Sequence, residues 1–385
     1  MSVQTKPSTL LWTHVRLASV QTSMATHMIR VLQVTPRFAP LVGGVETHVW
    51  EVAQRLSGHG VECSVLTADA SGELAAHEML GGVLVTRVRA YPTGRDWMFA
   101  PGLPAALRAQ RWDVIHVQSY HTLFAPLAMA AAARARLPYV LTFHGGGHDS
   151  VLRNVSRAAQ IRALGPLLRR ARALVAIADF EIAAYGELAK VAPQRFVKIP
   201  NGAGIPEAVE SVPTAGTLIV SIGRLERYKG HRRIIAALPY VLEQVPDVKL
   251  WIAGDGPDRP TLQRLAQRLG VSEHVEIGAA DRLTLARRLK GAALATLLSD
   301  FESQPLAVLE AAALGVPVLV ADNSGMRELA QQGLADMVGL SASPQVHAQA
   351  MLDAMNRPRL TAPLSLPTWD DCAAALADLY RAVVT

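Results

Sequence analysis

Residues 299–317 have the sequence SDFESQPLAVLEAAALGVP, which predicts the end of a strand, a loop and an apolar helix. Pro305 suits the first turn of a helix, where its missing N–H removes no hydrogen bond. The run from Leu306 to Leu314 is apolar and helix-forming except for Glu310, and a glycine and a proline follow it. The stretch therefore predicts a strand-to-helix unit whose helix carries one carboxylate.

Two carboxylates in this stretch need an explanation. Glu302 lies just before the predicted helix, and Glu310 lies on it. A carboxylate in an apolar helix is costly unless a partner hydrogen-bonds it. The start of a helix also offers free N–H groups and a positive dipole end to an anion. The stretch thus favours a phosphate-bearing ligand, although a simple ion pair of Glu310 with a lysine or arginine explains that residue equally well.

The composition is that of a globular protein with two domains. The chain has 385 residues, of which 50% are hydrophobic and 18% are charged. Cys63 and Cys372 lie far apart and form neither a disulfide framework nor a metal-binding spacing, which favours a reducing cytoplasm. The apolar run 123–133 is too short to span a bilayer.

The first half of the chain is basic. Residues 1–203 hold 21 Lys and Arg against 12 Asp and Glu, whereas residues 204–385 hold 17 against 20. This imbalance suggests an acidic partner, although an arginine-rich composition with solvated faces explains it as well. The stretch 150–178 contains no acid and six arginines: Arg153, Arg157, Arg162, Arg169, Arg170 and Arg172. It predicts a peripheral contact with an anionic membrane or lipid phosphate, with ordinary surface as the alternative.

Two alternations of strand and helix organise the chain. Residues 29–34, a loop with Gly43-Gly44, a helix at 45–56 and residues 61–66 form a βαβ unit, which implies a parallel sheet. Further apolar strands are predicted at 83–88, 114–117, 139–143, 174–178 and 196–199, then at 218–222, 249–253, 275–277, 293–298 and 318–321. We expect an α/β protein of two Rossmann-like halves facing across a cleft.

Several residues with suitable chemistry follow predicted strands. Gly43 and Gly44 allow backbone to approach a ligand, but they do not match the G-x-G-x-x-G of dinucleotide binding. His144 follows the strand 139–143 beside a glycine run, in no metal-binding spacing, and a purely structural histidine is the alternative. Arg224 and Lys229 follow the strand 218–222, where two cations suit a diphosphate or else form a solvated turn.

With these motifs in order, the chain resembles the retaining glycosyltransferases of the GT-B fold, a glycosyltransferase family 4-like group marked by an E-x7-E motif. Glu302 and Glu310 have that spacing. The other family marks are Gly43-Gly44, His144, IPNG at 199–202, GRL-x-x-x-KG at 223–230, AGDGP at 253–257 and the amphipathic helix from Trp369 to Tyr380. The resemblance covers residues 29–385.

The resemblance implies a domain plan. Residues 1–28 are a disordered extension, 29–203 an acceptor domain, 204–216 a linker, 217–365 a nucleotide-sugar donor domain, and 366–385 a helix that packs back on the first domain. Together with the cysteines and the arginine-rich stretch, it predicts a cytoplasmic enzyme with no cofactor, no metal and no nucleic acid partner, and peripheral contact with the inner membrane face is one alternative. The triplet Asp300-Phe301-Glu302 mimics a metal-binding D-x-D, but we interpret it as the start of E-x7-E.

The resemblance also implies roles for individual residues. Glu310 would bind the ribose hydroxyls and Glu302 the transferred sugar, and His144 would lie near the anomeric carbon, so that His144 and Glu302 are the expected catalytic residues. The other donor-binding candidates are Gly43, Gly44, Arg224, Lys229, Gly254 and Leu306. The acceptor-side candidates are Glu46 and His121.

Two departures from the family pattern concern the donor sugar. Ser303–Ala307 stands where the family often has GFGLP, and Pro305 lacks one backbone donor. IPNG is followed by Ala203-Gly204 in place of Val-Asp. The expected function is transfer of a hexose-type sugar from a nucleotide diphosphate to an acceptor hydroxyl, with retention, in cell-envelope glycan or glycolipid synthesis. A phosphorylase or epimerase on the same fold and a non-catalytic nucleotide-sugar-binding protein remain alternatives.

Overall fold

The computed structural model describes residues 28–92, 98–145, 151–204, 210–211, 216–358 and 366–385, with backbone alone at 151–156. The predicted extension 1–28 lies outside the described residues except at its last position. Of the predicted linker 204–216, only residues 204, 210, 211 and 216 are described.

An eight-stranded sheet forms the first half. Its strands run in the order β3-β4-β2-β1-β5-β6-β7-β8, and all pairs are parallel except β3 with β4. The strands are β1 Ile29–Thr35, β2 Val61–Asp69, β3 His77–Leu80, β4 Val83–Arg89, β5 Val114–Gln118, β6 Tyr139–Thr142, β7 Ala173–Ala176 and β8 Phe196–Lys198. The helices are α1 Gly44–Arg55, α2 Leu103–Arg108, α3 Phe124–Arg134, α4 Val151–Arg170 and α5 Asp179–Ala189.

A six-stranded parallel sheet forms the second half, in the order β11-β10-β9-β12-β13-β14. Its strands are β9 Leu218–Ile222, β10 Lys249–Ala253, β11 Val275–Gly278, β12 Leu294–Leu297, β13 Val318–Ala321 and β14 Asp336–Val338. Its helices are α6 His231–Leu242, α7 Arg259–Arg268, α8 Arg282–Gly291, α9 Leu306–Ala313, α10 Ser324–Gln331 and α11 Pro344–Met355. This strand order is that of the Rossmann fold.

Burial on both faces explains why most strands could be predicted. Every residue of β5, β6, β7, β12 and β13 is buried, and such strands form continuous apolar runs. The short edge strands β3 and β14 were missed, because β3 is largely exposed and β14 has only three residues. The prediction of two Rossmann-like sheets is confirmed.

The last helix, α12 Trp369–Val384, packs on the first sheet, as the resemblance implied. Thr368 and Asp371 form a capping box at its start. Trp369 and Leu376 pack with strand residues Val31 and Val114 in one apolar cluster. Gly202 makes this approach possible, because a Cβ atom there would overlap the backbone nitrogen of Trp369.

The switch points of the two sheets position the candidate residues. In each sheet the strand order reverses next to the first strand, between β1 and β5 and between β9 and β12. Ligands of open α/β sheets bind at the carboxyl ends of the strands at this point. The loops after β1, β9 and β12 carry Gly43, Lys229 and Glu302.

Candidate active site

An ion pair joins two loops of the second sheet. Nζ of Lys229, after β9, lies 2.6 Å from Oε1 of Glu302, after β12, and the two side chains are only 16% and 10% exposed. Burial by itself would lower the pKa of Lys229, but the Glu302 carboxylate outweighs it and holds that pKa above its usual value. Lys229 is therefore a fixed cation at the carboxyl end of the sheet.

The backbone of Glu302 is held by the first two residues of α10, Ser324 and Gly325. Its N–H donates to Ser324 Oγ at 3.0 Å, and its carbonyl accepts from the Gly325 N–H at 3.0 Å. A Cβ atom at position 325 would overlap the carbonyl oxygen of Ser303. Ser324 has a φ of 42°, an uncommon value for a residue other than glycine. The start of α10 therefore packs directly against residues 302 and 303, which follow β12.

Arg224 does not join this ion pair. Its guanidinium lies 2.6 Å from Glu226 Oε1 and is half exposed. Gly254 lies directly against the same loop, because a Cβ atom there would overlap the carbonyl oxygen of Gly223. Arg224 is thus a half-exposed cation paired within its own loop, whereas Lys229 is a mostly buried cation paired with the loop after β12.

Glu310 lies on α9, in an apolar environment. Burial raises its pKa to about 7, Arg282 opposes this shift, and Glu51 adds to it. A small cavity adjoins the carboxyl group and is lined by Gly204, Arg282, Leu285, Ala286, Leu289, Glu310 and Leu314. The alternative explanation of Glu310, a simple ion pair with a lysine or arginine, is not supported, because no ion pair of Glu310 is found among the described residues. α9 begins at Leu306, so Pro305 precedes the first turn that it was predicted to occupy.

A second ion pair crosses between the two halves beside Glu310. Nη1 of Arg282, at the start of α8, lies 2.5 Å from Oε1 of Glu51 on α1, and its Nη2 donates to the Gly204 carbonyl at 2.7 Å. Arg55 contacts the other Glu51 oxygen at 2.7 Å. The glycine at position 204, where the family usually has an aspartate, has a steric reason. A Cβ atom there would lie 2.6 Å from the Trp369 ring and 3.1 Å from Arg282 Nη2.

His144 lies at the carboxyl end of β6 and faces other histidines. Its φ is 47°, and such strained backbone is concentrated at functional sites. The ring of His48 stands edge-on to it, with centroids 4.6 Å apart, and Nε2 of His121 lies 3.2 Å from its carbonyl oxygen. His121 is therefore next to His144, as its predicted role requires.

Burial keeps these imidazoles neutral. It lowers the pKa of His48 to about 4 and the pKa of His116 to about 3, and it holds the pKa of His144 well below its usual value. Nδ1 of His48 lies 2.8 Å from Asn201 Oδ1, while its Nε2 has no hydrogen-bond partner among the residues that the structure describes. At pH 7, His48, His116 and His144 are therefore neutral hydrogen-bonding groups and not cations.

The loop between Glu302 and α9 contacts the first half directly. Ser303 donates to Glu181 Oε1 at 2.6 Å, and Gln304 Oε1 accepts from the Asn201 N–H at 2.6 Å. The buried Glu181 carboxylate also accepts from the Gly145 N–H at 2.8 Å. Residues 303 and 304 thus stand where the family often has glycines. Their side chains tie the loop between β12 and α9, here called the donor loop, to the first half of the chain.

The loop after β1 is organised by Glu46. α1 begins at Gly44, and a Cβ atom on Gly43 would overlap the Glu46 carboxylate, which folds back over it. Gly44 is exposed with open space around it.

Leu306 packs on the core of the second sheet and also on the cluster under α12. Leu306 therefore contacts both halves of the chain.

The two carboxylates of the triplet Asp300-Phe301-Glu302 each form an ion pair with a basic side chain. Asp300 lies 2.7 Å from Arg233 Nη2, and Glu302 is held by Lys229. Over the residues that the structure describes, no group of three His, Cys, Asp or Glu side chains is placed to hold a metal ion. In that same part of the chain, no helix has the length and apolar character needed to cross a bilayer.

The arginine-rich stretch is only partly a free face. Arg157 lies over the ring of Phe301 at 4.6 Å, so it contacts the second half. The exposed members are Arg162, Arg169, Arg170 and Arg172, and the side chain of Arg153 lies outside the described residues. Arg170 and Arg172 border a concavity of about 410 Å³ together with Arg136.

Comparison with known sequences identifies the family. Residues 42–204 match the family model described as Glycosyltransferase Family 4, and residues 207–363 match the one described as Glycosyl transferases group 1. The chain belongs to the family 4-like glycosyltransferases of the GT-B fold. The predicted resemblance to the GT-B glycosyltransferases is thereby confirmed.

Named relatives of this GT-B glycosyltransferase differ in substrate. The D-inositol 3-phosphate glycosyltransferase of Thermobispora bispora is 27% identical, over 88% of this chain and 89% of the relative. Sucrose-phosphate synthase of Thermosynechococcus elongatus has a TM-score of 0.76 at 18% identity, covering 92% of this chain and 99% of that one. Anabaena HepE, solved with UDP-glucose, has a TM-score of 0.67 at 19% identity, covering 92% and 97%.

Sequence reasoning missed several residues of the glycosyltransferase cleft. They are Glu51, Glu181 and Arg282, which carry charge between the halves, and Gln33, Gln118 and Tyr380, which form a buried polar chain behind His144. The available signal was a polar residue inside an apolar strand, as at Gln33 and Gln118. Tyr380 was predicted as an apolar member of α12, and its ring is buried but its hydroxyl group is hydrogen-bonded.

Proposed function

We propose that this glycosyltransferase moves a hexose-type sugar from a nucleotide diphosphate sugar to an acceptor hydroxyl with retention of the anomeric configuration. The observation that carries the proposal is the mostly buried Lys229–Glu302 ion pair at the carboxyl end of the second sheet. Ser303, the next residue after Glu302, donates to Glu181 of the first half, which also accepts from the N–H of Gly145, the neighbour of His144. An ammonium group has three N–H donors, so Lys229 can keep Glu302 and still bind a diphosphate oxygen. The complex of HepE with UDP-glucose supports a nucleotide sugar as donor.

The proposed reaction breaks the bond between the anomeric carbon and the diphosphate oxygen, which keeps the electron pair. Lys229 and the half-exposed Arg224 stabilise this leaving group. Glu310 accepts hydrogen bonds from the ribose, and Glu302 orients the sugar. The acceptor oxygen bonds to the same face of the carbon, and its proton passes to the departing diphosphate oxygen. The products are a glycoside and a nucleoside diphosphate.

His144 has a proposed role at the reacting carbon. Its neutral imidazole can hydrogen-bond a sugar or acceptor hydroxyl. We expect His144→Ala to reduce turnover more than donor affinity, because it would remove a contact made in the transition state. Steady-state kinetics with the donor varied measures both quantities. An equal loss in kcat and in donor affinity would mean that His144 only positions the donor.

The experiment for the function is a donor panel. UDP-, GDP- and ADP-linked glucose, galactose and mannose are tested by thermal shift, and the best donor is then incubated with phosphorylated inositols, hexose phosphates and glycolipid precursors. Release of nucleoside diphosphate with an α-linked product from an α-linked donor, seen by NMR, supports the proposal. Product formed from sugar phosphate without nucleotide would instead indicate a phosphorylase.

One observation favours a second candidate, a non-catalytic nucleotide-sugar-binding protein. Pro305 supplies no N–H, and Ser303 is already bonded to Glu181, so two groups of the donor loop are unavailable to a ligand. That candidate predicts donor binding without nucleoside diphosphate release for every acceptor in the panel.

We also propose that the acceptor belongs to cell-envelope glycan or glycolipid synthesis and that the exposed arginines near 162–172 contact an anionic membrane from the cytoplasmic side. The support is the unbalanced charge of this surface and its concavity bordered by Arg136, Arg170 and Arg172. Flotation with liposomes containing anionic lipid should carry the protein upward, and Arg170→Gln with Arg172→Gln should weaken this. Flotation unaffected by anionic lipid would end the membrane proposal.

A further inference from the structure

A buried chain of hydrogen bonds connects His144 to the helix at the far end of the sequence. His144 Nε2 lies 2.7 Å from Gln118 Oε1, and Gln118 Nε2 lies 2.5 Å from Gln33 Oε1. Gln33 Nε2 lies 3.0 Å from Tyr380 Oη. The chain passes from β6 through β5 and β1 to α12, and every side chain in it has an exposure of 7% or less.

The chain ends on a second histidine. Tyr380 Oη lies 2.6 Å from His116 Nδ1, and His116 Nε2 lies 2.7 Å from Thr142 Oγ1. His116, Gln118 and Thr142 lie on β5 and β6, the strands that lead to the cleft. Tyr380 thus inserts its hydroxyl group between two polar residues of a strand region that is otherwise apolar.

Every hydrogen bond of this buried series is donated in the same direction, from His144 toward Thr142. An amide NH₂ group only donates, so Tyr380 Oη accepts from Gln33 and its single hydrogen goes to His116 Nδ1. His116 then carries its proton on Nε2 and donates to Thr142. At the other end Gln118 Oε1 only accepts, so His144 donates from Nε2.

We propose that Tyr380 is a positioning residue for His144, and that its hydroxyl group fixes the orientation and tautomer of this imidazole through Gln33 and Gln118. The neutral ring of His144 keeps its proton on Nε2 and presents Nδ1 as a lone-pair acceptor. Aligned hydrogen bonds in a dry interior reinforce one another, which makes the chain stiff. The placement of His144 at the reacting centre rests on the proposed function, whereas the chain itself does not.

This arrangement gives α12 a purpose beyond covering the sheet. The helix belongs to the end of the chain, 347 positions from Gln33 in sequence. Loss of its docking would remove the group that orders Gln33, Gln118 and His144 in the first half. Docking of α12 on the first sheet therefore influences the orientation and tautomer of the His144 imidazole in the same half.

The experiment compares Tyr380→Phe with Cys372→Ala in the full chain. Cys372 is buried on the same helix in the cluster under α12, and the structure shows no bond from it to the polar chain. The hydrogen bond that Gln33 donates to Tyr380 leads to His144, and its loss corresponds to about 1 kcal/mol. We therefore expect Tyr380→Phe to lower kcat by about fivefold with donor KM unchanged. Cys372→Ala should lower Tm while leaving kcat unchanged.

A double-mutant cycle separates positioning from simple loss of stability. In a His144→Ala background, Tyr380→Phe should have almost no further effect on kcat, because the residue through which it acts is gone. The same fold loss in both backgrounds would overturn the proposal.

A readout without catalysis keeps the inference distinguishable from the proposed function. Nitrogen-15 NMR of histidine-labelled protein, with His144 assigned by its substitution, should show the Nε2–H tautomer in the wild type and a tautomer mixture in Tyr380→Phe. An Nδ1–H tautomer in the wild type, or an unchanged spectrum in the variant, would overturn the positioning role. The expected spectra together with no transferase activity would leave this inference standing and remove the proposed function.

Discussion

Nζ of Lys229 lies 2.6 Å from Oε1 of Glu302, and this contact joins the loops that follow β9 and β12 at the switch point of the second sheet. Both side chains are mostly buried, so the pair is held in place and not averaged by solvent. In the proposed reaction this fixed cation would stabilise the departing diphosphate, and its carboxylate partner would contact the transferred sugar.

Removing Lys229 should affect stability and ligand binding in separable ways. Lys229→Met leaves the buried Glu302 charge without its partner, which costs about 3 kcal/mol of unfolding free energy. Nucleotide affinity should fall about tenfold or more, because a charge-assisted hydrogen bond to the diphosphate is lost. Urea unfolding and calorimetric titration with the best nucleoside diphosphate measure the two effects.

The double variant Lys229→Met with Glu302→Gln is the control for this prediction. It removes the unpaired charge, so most of the stability should return while nucleotide affinity stays low. Recovery of both properties together would show that Lys229 acts on nucleotide only through the fold.

Glu310 should make stability depend on pH. Its pKa is raised from 4.5 to about 7, so the folded state binds the proton more tightly than the unfolded state. Its contribution to stability is present below pH 4.5 and is lost as the pH rises to about 7. Glu310→Gln keeps a neutral side chain at every pH. We expect the variant to have a higher Tm than the wild type at pH 8, and the difference to narrow toward pH 4.5. Parallel Tm curves would contradict the buried environment of Glu310.

The ion pair between Glu51 and Arg282 should hold the two halves together. Glu51→Gln removes the charge that Arg282 and Arg55 share, so the cleft should open and the radius of gyration measured by small-angle scattering should rise. It should also lower the pKa of Glu310, which Glu51 now raises. Arg55→Gln is the matched control, because it removes a partner on the same helix and keeps the contact between the halves. Equal scattering from both variants and the wild type would count against this role.

Gly202 should be required for docking of the last helix. In Gly202→Ala, the added methyl group overlaps the backbone nitrogen of Trp369, and the start of α12 must shift. Overpacking of this kind costs about 1–3 kcal/mol, so Tm should fall by several degrees. Gly58→Ala is the control, because nothing lies within 4 Å of an added Cβ atom there. A Gly202→Ala protein as stable as the control would mean that α12 does not depend on this close approach.

The sequence predicts the parts of this protein that follow from local pattern. Strands buried on both faces form apolar runs, and residues that follow them must meet at one edge, so Lys229, Glu302 and His144 could be placed near a common cleft. Contacts between residues far apart in the chain leave no such pattern. The Glu51–Arg282 pair spans 231 positions, and nothing near either residue indicates the other.

The polar chain behind His144 illustrates the same limit. Gln33 and Gln118 stand inside buried strands, where a polar side chain requires a partner, but the sequence does not say that the partner is Tyr380. The steric role of Gly204 is similar, because it depends on how Trp369 and Arg282 approach the loop after IPNG. Such details are set by the packing of complete elements against one another.

Calorimetric titration of the wild type and Glu310→Ala with the nucleotide sugars of the donor panel tests the central claim most directly. If Glu310 binds the ribose of the donor, at least one nucleotide sugar should bind the wild type with a one-to-one stoichiometry. The Glu310→Ala variant should lose this binding while remaining folded. Equal affinity in the two proteins, or no binding of any nucleotide sugar to the wild type, would contradict it.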